Sequence, residues 1–108
     1  MSDTPPTPST LPAMQLSFDQ FEARSLADGF DEVLVREWAP GSVVPEHRHD
    51  FGVSAIVVQG EMWLTCAGQE RHLVPGDTFA LYRNEPHAER YGVQGATYWV
   101  ARRNAGDC

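Results

Sequence analysis

The chain contains no lysine and no long apolar run, and these absences exclude several functions. All eight basic residues are arginine, so no side chain can form the lysine Schiff base of pyridoxal-dependent enzymes. The longest apolar stretch, residues 53–58, is far shorter than the roughly 18 to 20 residues that span a bilayer. We therefore expect neither a transmembrane helix nor a membrane partner.

Basic charge and cysteine are also scarce. Eight basic against fifteen acidic residues leave a net charge of −7, which repels a phosphate backbone, so nucleic acid is not an expected partner. Cys66 and Cys108 form neither a CxxC pair nor a zinc-finger spacing and are interpreted as free thiols. The first residues show no basic segment followed by an apolar one, so we expect no secretory signal and a cytoplasmic location.

The 108 residues have room for one domain with one core. Four of the eight prolines lie among serine and threonine in residues 1–14, a composition that predicts a flexible arm over residues 1–16. Ser17 and Gln20 have the spacing of a capping box for a short helical turn through Phe18 and Phe21. The folded domain is predicted over residues 17–104.

From Asp31 onward the sequence has the pattern of an all-β domain. Short runs of β-branched and aromatic residues are separated by glycine and proline turns every eight to twelve residues or so. Eight strands, a number typical of a jelly roll, are predicted at residues 32–38, 42–49, 53–59, 62–67, 70–74, 78–82, 87–91 and 97–102. Strand alternation points Ala55, Val57, Phe79 and Leu81 inward, which predicts a mostly apolar cavity.

Three histidines suggest a metal site. His47 and His49 are one residue apart, so in a strand both side chains project from the same face, although surface histidines also show this spacing. His87 follows Pro86 at the start of a later strand, and a β-barrel can bring it opposite the first pair. Imidazole is a good ligand for several divalent transition metals.

These residues resemble the cupins, in particular the small RmlC-like members. The spacing of Gly41, His47, His49 and Gly60 fits the first cupin motif, G-x5-H-x-H-x3-E-x6-G, and residues 75–77 with 86–87 fit the second, P-G-D followed by P-H. The resemblance covers residues 38–102 approximately and implies a double-stranded β-helix jelly-roll barrel. It also implies that His47, His49 and His87 are metal ligands.

The sequence departs from the cupin pattern at one position. Val53 stands where the motif has a metal-binding glutamate, and Asp50 has the wrong strand parity to replace it. The implied ligand set is therefore three histidines alone. Of the metals that suit imidazole we favour Fe(II), and Zn, Mn, Ni and Cu remain open.

A three-histidine centre predicts a particular chemistry. Neutral imidazoles leave the ion its full positive charge and open positions, so it attracts anionic or bidentate oxygen chelators. By resemblance to three-histidine cupins, the expected activity is that of a small-molecule dioxygenase or related oxidoreductase. Glu89 shares the strand parity of His87 and is a candidate acid, base or extra ligand, unless it is a rim carboxylate. Tyr82 is a second catalytic candidate through its hydroxyl, unless it is a packed strand residue.

Two other functions remain open. Residues 47–87 also resemble the effector domains of AraC-type regulators, which predicts a sensor that binds a small molecule without catalysis. A DNA-binding region follows such domains, and we expect none in a chain that ends at Cys108. A purely structural metal is the third possibility, although such sites are usually closed.

Some side chains are expected to lie outside the cavity. Trp63 has outward parity, and with Trp38 it predicts a homodimer interface, since an exposed tryptophan needs a cover. His72 is expected at the surface, and Cys66 is interpreted as a small core residue.

Overall fold

The computed structural model describes residues 16–104, which form one helix followed by six strands. The predicted arm therefore lies, except for Leu16, outside the described residues, as does Cys108. No helix in the described range is long and apolar enough to cross a membrane. The elements are α1 (Phe18–Ala27), β1 (Glu32–Trp38), β2 (Val43–His47), β3 (Gly52–Cys66), β4 (Gln69–Leu73), β5 (Thr78–Leu81) and β6 (His87–Arg103).

The two long strands, β3 and β6, form the centre of the fold. They pair antiparallel along most of their length, from Gly52 opposite Arg103 to Cys66 opposite His87. At one end β1 joins β6 and β5 joins β3, and at the other end β2 joins β6 and β4 joins β3. The result is two four-stranded halves that share their central strands, as the jelly-roll prediction requires.

The structure has six strands instead of the eight predicted, because two of the expected turns do not separate strands. Residues 53–59 and 62–67 lie in β3, and residues 87–91 and 97–102 lie in β6, with register shifts in the pairing at Val57–Gln59 and Gly60–Met62. Gly60 and Gly95 have φ of +76° and +71°, and a Cβ on Gly60 would collide with the Gly95 carbonyl. These glycines let the two long strands bend where their backbones approach closely, so neither strand ends there.

The helix is longer than the single turn that the sequence predicts. The capping box is present: the Ser17 hydroxyl accepts from the Gln20 N–H at 3.1 Å, and Gln20 Oε1 accepts from the Ser17 N–H at 2.9 Å. Phe18 and Phe21 then pack on Trp99, with ring centroids 5.5 and 5.9 Å away. Contact with the sheet stabilises ten residues of helix because short helices depend on tertiary packing.

The core lies between the two halves of the sheet. The side chains predicted to point inward, among them Ala55, Val57 and Phe79, are all buried. Met62, Leu64 and Leu73 fill the end of the core formed by β3 and β4, and each is at most 2% exposed. The apolar floor of a cavity is thus built by strand alternation alone.

Candidate metal centre and ligand cavity

The three predicted histidines come together at one end of the sheet. His47 is the last residue of β2 and is in register with His87, the first residue of β6, and His49 follows two residues after β2. The ring centroids of His47 and His87 are 4.3 Å apart, and those of His47 and His49 are 4.7 Å apart. One ligand atom from each histidine lies within 4.8 Å of the other two, which suits a shared metal ion.

Backbone carbonyls orient two of the rings. Nδ1 of His47 donates to the Pro45 carbonyl at 2.8 Å, and Nδ1 of His87 donates to the Glu85 carbonyl at 2.9 Å. Because a carbonyl oxygen only accepts, the hydrogen lies on Nδ1 and Nε2 is left to face the cluster. A histidine that binds metal through one ring nitrogen usually donates a hydrogen bond from the other, as these two rings do.

His49 is held by an aromatic contact instead. Its ring stacks on Phe51 at a centroid distance of 4.7 Å and an angle of 13°. Burial lowers the pKa of His49 below its usual value, and the neighbouring His47 and His87 lower it further. The ring is therefore kept neutral, which is the form that binds metal.

Glu89 brings a carboxylate to the cluster. Its side chain is 7% exposed, and its Oε2 lies 3.4 Å from Nε2 of His87 and 4.0 Å from Nε2 of His47. Val53, on β3, occupies the motif position of the usual glutamate and lines the same cavity without a polar group. The carboxylate thus comes from β6, two residues after the third histidine, and not from the first motif.

His87 and Glu89 shift each other's pKa values in opposite directions. Burial raises the pKa of Glu89, but hydrogen bonds from His87 and Tyr91 outweigh it and leave the pKa below the usual value. Burial lowers the pKa of His87, but hydrogen bonds to Glu89 and to the Glu85 carbonyl outweigh it and raise the pKa. Each shift favours the charged form of its group, so the two side chains, 3.4 Å apart, stabilise each other's charge.

A small network of buried side chains positions Glu89. The Tyr91 hydroxyl donates a short hydrogen bond to Oε1 of Glu89, and the Tyr98 hydroxyl accepts from Nε1 of Trp38 at 3.3 Å. Burial raises the pKa of both tyrosines, so their hydroxyls remain protonated. Trp38 stacks on Tyr91 at a centroid distance of 5.1 Å.

The cavity beside the histidines has a volume of about 140 Å³. A cavity of roughly 150 Å³ holds a molecule of the size of benzene, so the ligand it fits is small. Arg36 and Arg102 are its basic residues, and its other lining residues are Trp38, Val44, His47, His49, Phe51, Val53, Phe79, Leu81, His87, Glu89, Tyr98 and Val100.

Two residues considered from the sequence lie elsewhere. Tyr82 does not reach the histidines: Leu81 takes the inward position of β5, and the Tyr82 side chain, which follows it, is 84% exposed. Trp38 was expected at an outer interface, but its place in β1 turns it toward the core, where it lines the cavity.

The outer face of the sheet carries its own polar cluster. His72 lies at the surface as predicted and bonds Oε1 of Glu61 at 2.7 Å. Its ring stacks on Trp63 at 4.6 Å, and the guanidinium of Arg90 covers that tryptophan at 4.1 Å. His72 and Arg90 therefore cover part of Trp63 within the chain, and the homodimer stays a prediction.

Sequence reasoning missed Arg36 and Tyr98, which line the cavity, and Tyr91, which bonds Glu89. Strand alternation was a usable signal for Tyr91, since it continues the inward series of His87 and Glu89. No signal of that kind singled out Arg36, because the orientation of β1 depends on how it pairs with β6.

Comparison with known proteins agrees with this architecture. Residues 29–101 match the family described as the AraC-like ligand binding domain. An uncharacterized HTH-type transcriptional regulator of Haemophilus influenzae is 42% identical over 42 residues, which are 39% of this chain. The match spans only 14% of that regulator.

Solved structures place the fold among the cupins. The DMSP lyase DddQ from Ruegeria pomeroyi is 28% identical with a TM-score of 0.62, over 69% of this chain and 38% of the lyase. The cupin domain of Cnp3 from Schizosaccharomyces pombe is 16% identical with a TM-score of 0.63, over 70% of this chain and 57% of that one. An RmlC-like cupin from Shewanella frigidimarina is 22% identical with a TM-score of 0.59, over 70% and 69% of the two chains.

Proposed function

The chain belongs to the family of AraC-like ligand-binding domains, and from this premise we propose that it is a metal-dependent enzyme acting on a small molecule. In this proposal His47, His49 and His87 hold one divalent transition metal ion, with Fe(II) as the first candidate. The observation that carries it is the convergence of three imidazoles on one point, with the Glu89 carboxylate beside them and a small cavity in front.

The donor set suggests what the ion does. When bound, a divalent metal supplies Lewis acidity and, as Fe(II), the redox chemistry of a dioxygenase. Neutral imidazoles add no negative charge to the ion, so its open positions attract anionic and bidentate oxygen ligands, an attraction that the Glu89 carboxylate beside His87 reduces. Zn, Mn, Ni and Cu suit the same donors, and the metal content of the purified protein decides among them.

Glu89 is the proposed proton acceptor of the reaction. Its carboxylate is buried, kept ionised by His87 and Tyr91, and directed at the histidine cluster. A base at this place takes a proton from a substrate group that faces the histidines. Since DddQ, a DMSP lyase, is 28% identical, a lyase reaction that uses the same base is the second reaction class to assay.

A sensor without catalysis is the second candidate function. It is favoured by the family match over residues 29–101 and by the similarity to an HTH-type regulator. In this role the same cavity and metal bind a small molecule, and the bound state is read by a partner.

The first experiment measures the metal content of protein purified without added metal. Wild type is compared with His47→Ala, which removes a proposed ligand, and with His72→Ala, which removes the histidine of the outer face. We expect about one equivalent of metal per chain in wild type and His72→Ala and its loss in His47→Ala. If wild type binds neither Fe(II) nor Zn(II) after anaerobic addition, the metal proposal is wrong.

Turnover separates the two functions. Oxygen consumption by the metal-loaded protein is screened with diketones, thiols and phenols, and the loss of activity in Glu89→Gln tests the base. Metal binding without turnover of any substrate favours the sensor.

A further inference from the structure

Arg36 presents an unneutralised positive charge to the cavity. It lies on the inner face of β1, is half-buried, and lines the same cavity as the three histidines. Its guanidinium carbon lies 5.0 Å from the centre of the Trp38 ring. Within residues 16–104 no carboxylate lies within ion-pair distance of Arg36, although the chain carries fifteen acidic residues in all.

Two other arginines allow a comparison, one in the same cavity and one on a tryptophan, and both have carboxylate partners. Arg102 lines the same cavity and lies 3.9 Å from Glu32. Arg90 packs on Trp63 as Arg36 packs on Trp38, but on the outer face, and it bonds Glu70 at 3.2 Å. A half-buried charge without a partner is unfavourable, so the setting of Arg36 suits an anion that arrives with the ligand.

We propose that Arg36 binds the carboxylate of a small ligand whose apolar body lies against the apolar side chains that line the cavity. An arginine fork can donate two parallel hydrogen bonds to a carboxylate, and its contact with an aromatic ring leaves those N–H groups available. This inference rests on the proposed function, because it assigns the ligand class of the same cavity. The histidine cluster receives the other, oxygen-bearing end of the molecule.

The size of the cavity narrows the ligand further. About 140 Å³ accommodates a short aliphatic acid or a single ring. The walls beyond the polar groups are apolar, with Phe79, Leu81 and Val100 among them. The ligand class is therefore a monocarboxylate with a compact apolar body and a second oxygen group.

Calorimetric titration of the full chain, freed of metal by chelation and dialysis, tests the proposal. The probes are butyrate with its neutral analogue butyramide, and benzoate with benzamide. In wild type we expect each acid to bind about tenfold or more tightly than its amide, since a charge-assisted bond is lost with the amide. We expect Arg36→Gln to remove this preference and Arg36→Lys, which keeps the charge without the fork, to retain part of it.

Arg90→Gln is the matched control, because it removes an arginine that packs on a tryptophan outside the cavity. It should keep the full preference for the acids, and thermal unfolding reports whether each variant is folded. If Arg36→Gln does not fold, the reduced preference of Arg36→Lys carries the test.

Three results would overturn the proposal: no binding of the acids to the metal-free wild type, equal affinity for acid and amide, or an unchanged preference in the Arg36 variants. Titration of the Zn(II)-loaded protein with the same acids distinguishes binding by Arg36 from binding by the metal. Acids that bind only after loading are held by the metal and not by Arg36. If the chain instead binds acids through Arg36 but no metal, the proposed metal function fails alone.

Discussion

The inner and outer faces of the sheet carry the same pair of groups, a histidine next to a carboxylate, with different consequences. On the outer face His72 bonds Glu61 at 2.7 Å, and both side chains are well exposed, at 48% and 38%. On the inner face His87 and Glu89 are 2% and 7% exposed, and two further imidazoles face the same point. The outer pair is complete by itself, whereas the inner group has donor atoms that a metal ion can use.

The arginine and tryptophan pairs differ in the same way. Arg90 on Trp63 has Glu70 as a partner, but Arg36 on Trp38 has only the cavity before it. Residue types alone do not separate the two faces. The two faces differ in burial and in whether polar and charged groups have partners. Buried groups without partners gain most from a ligand.

The largest expected difference between the faces is in metal affinity. His87→Ala removes one of three proposed ligands, and we expect stoichiometric metal binding to be lost, while His72→Ala leaves it unchanged. Competition with a chromophoric chelator measures both variants, and circular dichroism checks that each is folded. Tight binding by His87→Ala would show that the ligand set is different.

Stability should show the next largest difference. Met62 is fully buried on β3 and Thr65 lies on the opposite face of the same strand. Met62→Ala is expected to cost roughly 2 to 5 kcal/mol of unfolding free energy through lost burial and a cavity, whereas Thr65→Ala should stay within about 0.5 kcal/mol. Urea unfolding of the two variants gives both numbers, and equal values would contradict the assignment of faces.

Two tyrosines sharpen the comparison at the site itself. Tyr91→Phe leaves Oε1 of Glu89 without its hydrogen bond, so we expect a loss of roughly 1 to 3 kcal/mol in stability. Metal affinity should fall about tenfold, because the orientation of Glu89 beside His87 is relaxed. Tyr82→Phe, at an exposed side chain, should change neither quantity in the same denaturation and metal-competition measurements.

The smallest effect is expected on the outer face. Arg90→Gln removes a contact with Trp63 and an ion pair with Glu70 whose side chains are 49% and 46% exposed. Exposed pairs of this kind contribute up to about 1 kcal/mol and are weakened by salt. Thermal unfolding at low and high ionic strength measures it. If Arg90→Gln lost clearly more stability than Tyr91→Phe, the outer cluster would contribute more to folding than an exposed ion pair does.

The histidine cluster could be anticipated because its information is local. The one-residue spacing of His47 and His49, and Pro86 before His87, are patterns that can be read without coordinates, and alternation predicted that Phe79 and Leu81 are buried. The number of strands was predicted less well, since a glycine such as Gly60 can end a strand or bend it. Only the close contact between Gly60 and the Gly95 carbonyl shows that Gly60 bends β3.

The helix and the tryptophans required the packed structure. Ser17 and Gln20 predicted where α1 begins, but its length depends on Phe18 and Phe21 meeting Trp99, seventy-eight or more residues away in sequence. Trp38 was assigned to an outer surface because no local signal gives the orientation of an isolated strand. Its pairing with β6 turns it inward.

By itself the sequence determined the all-β class, the inward alternation of the strands and three histidines in motif spacing, because each depends on neighbours along the chain. Strand parity made Glu89 a candidate, but tertiary structure decided that its side chain lies beside the histidines, and that Arg36 lines the cavity with no carboxylate of the described residues within ion-pair distance. Those two facts depend on pairings between distant strands. Register and burial, which set them, exist only once the sheet has formed.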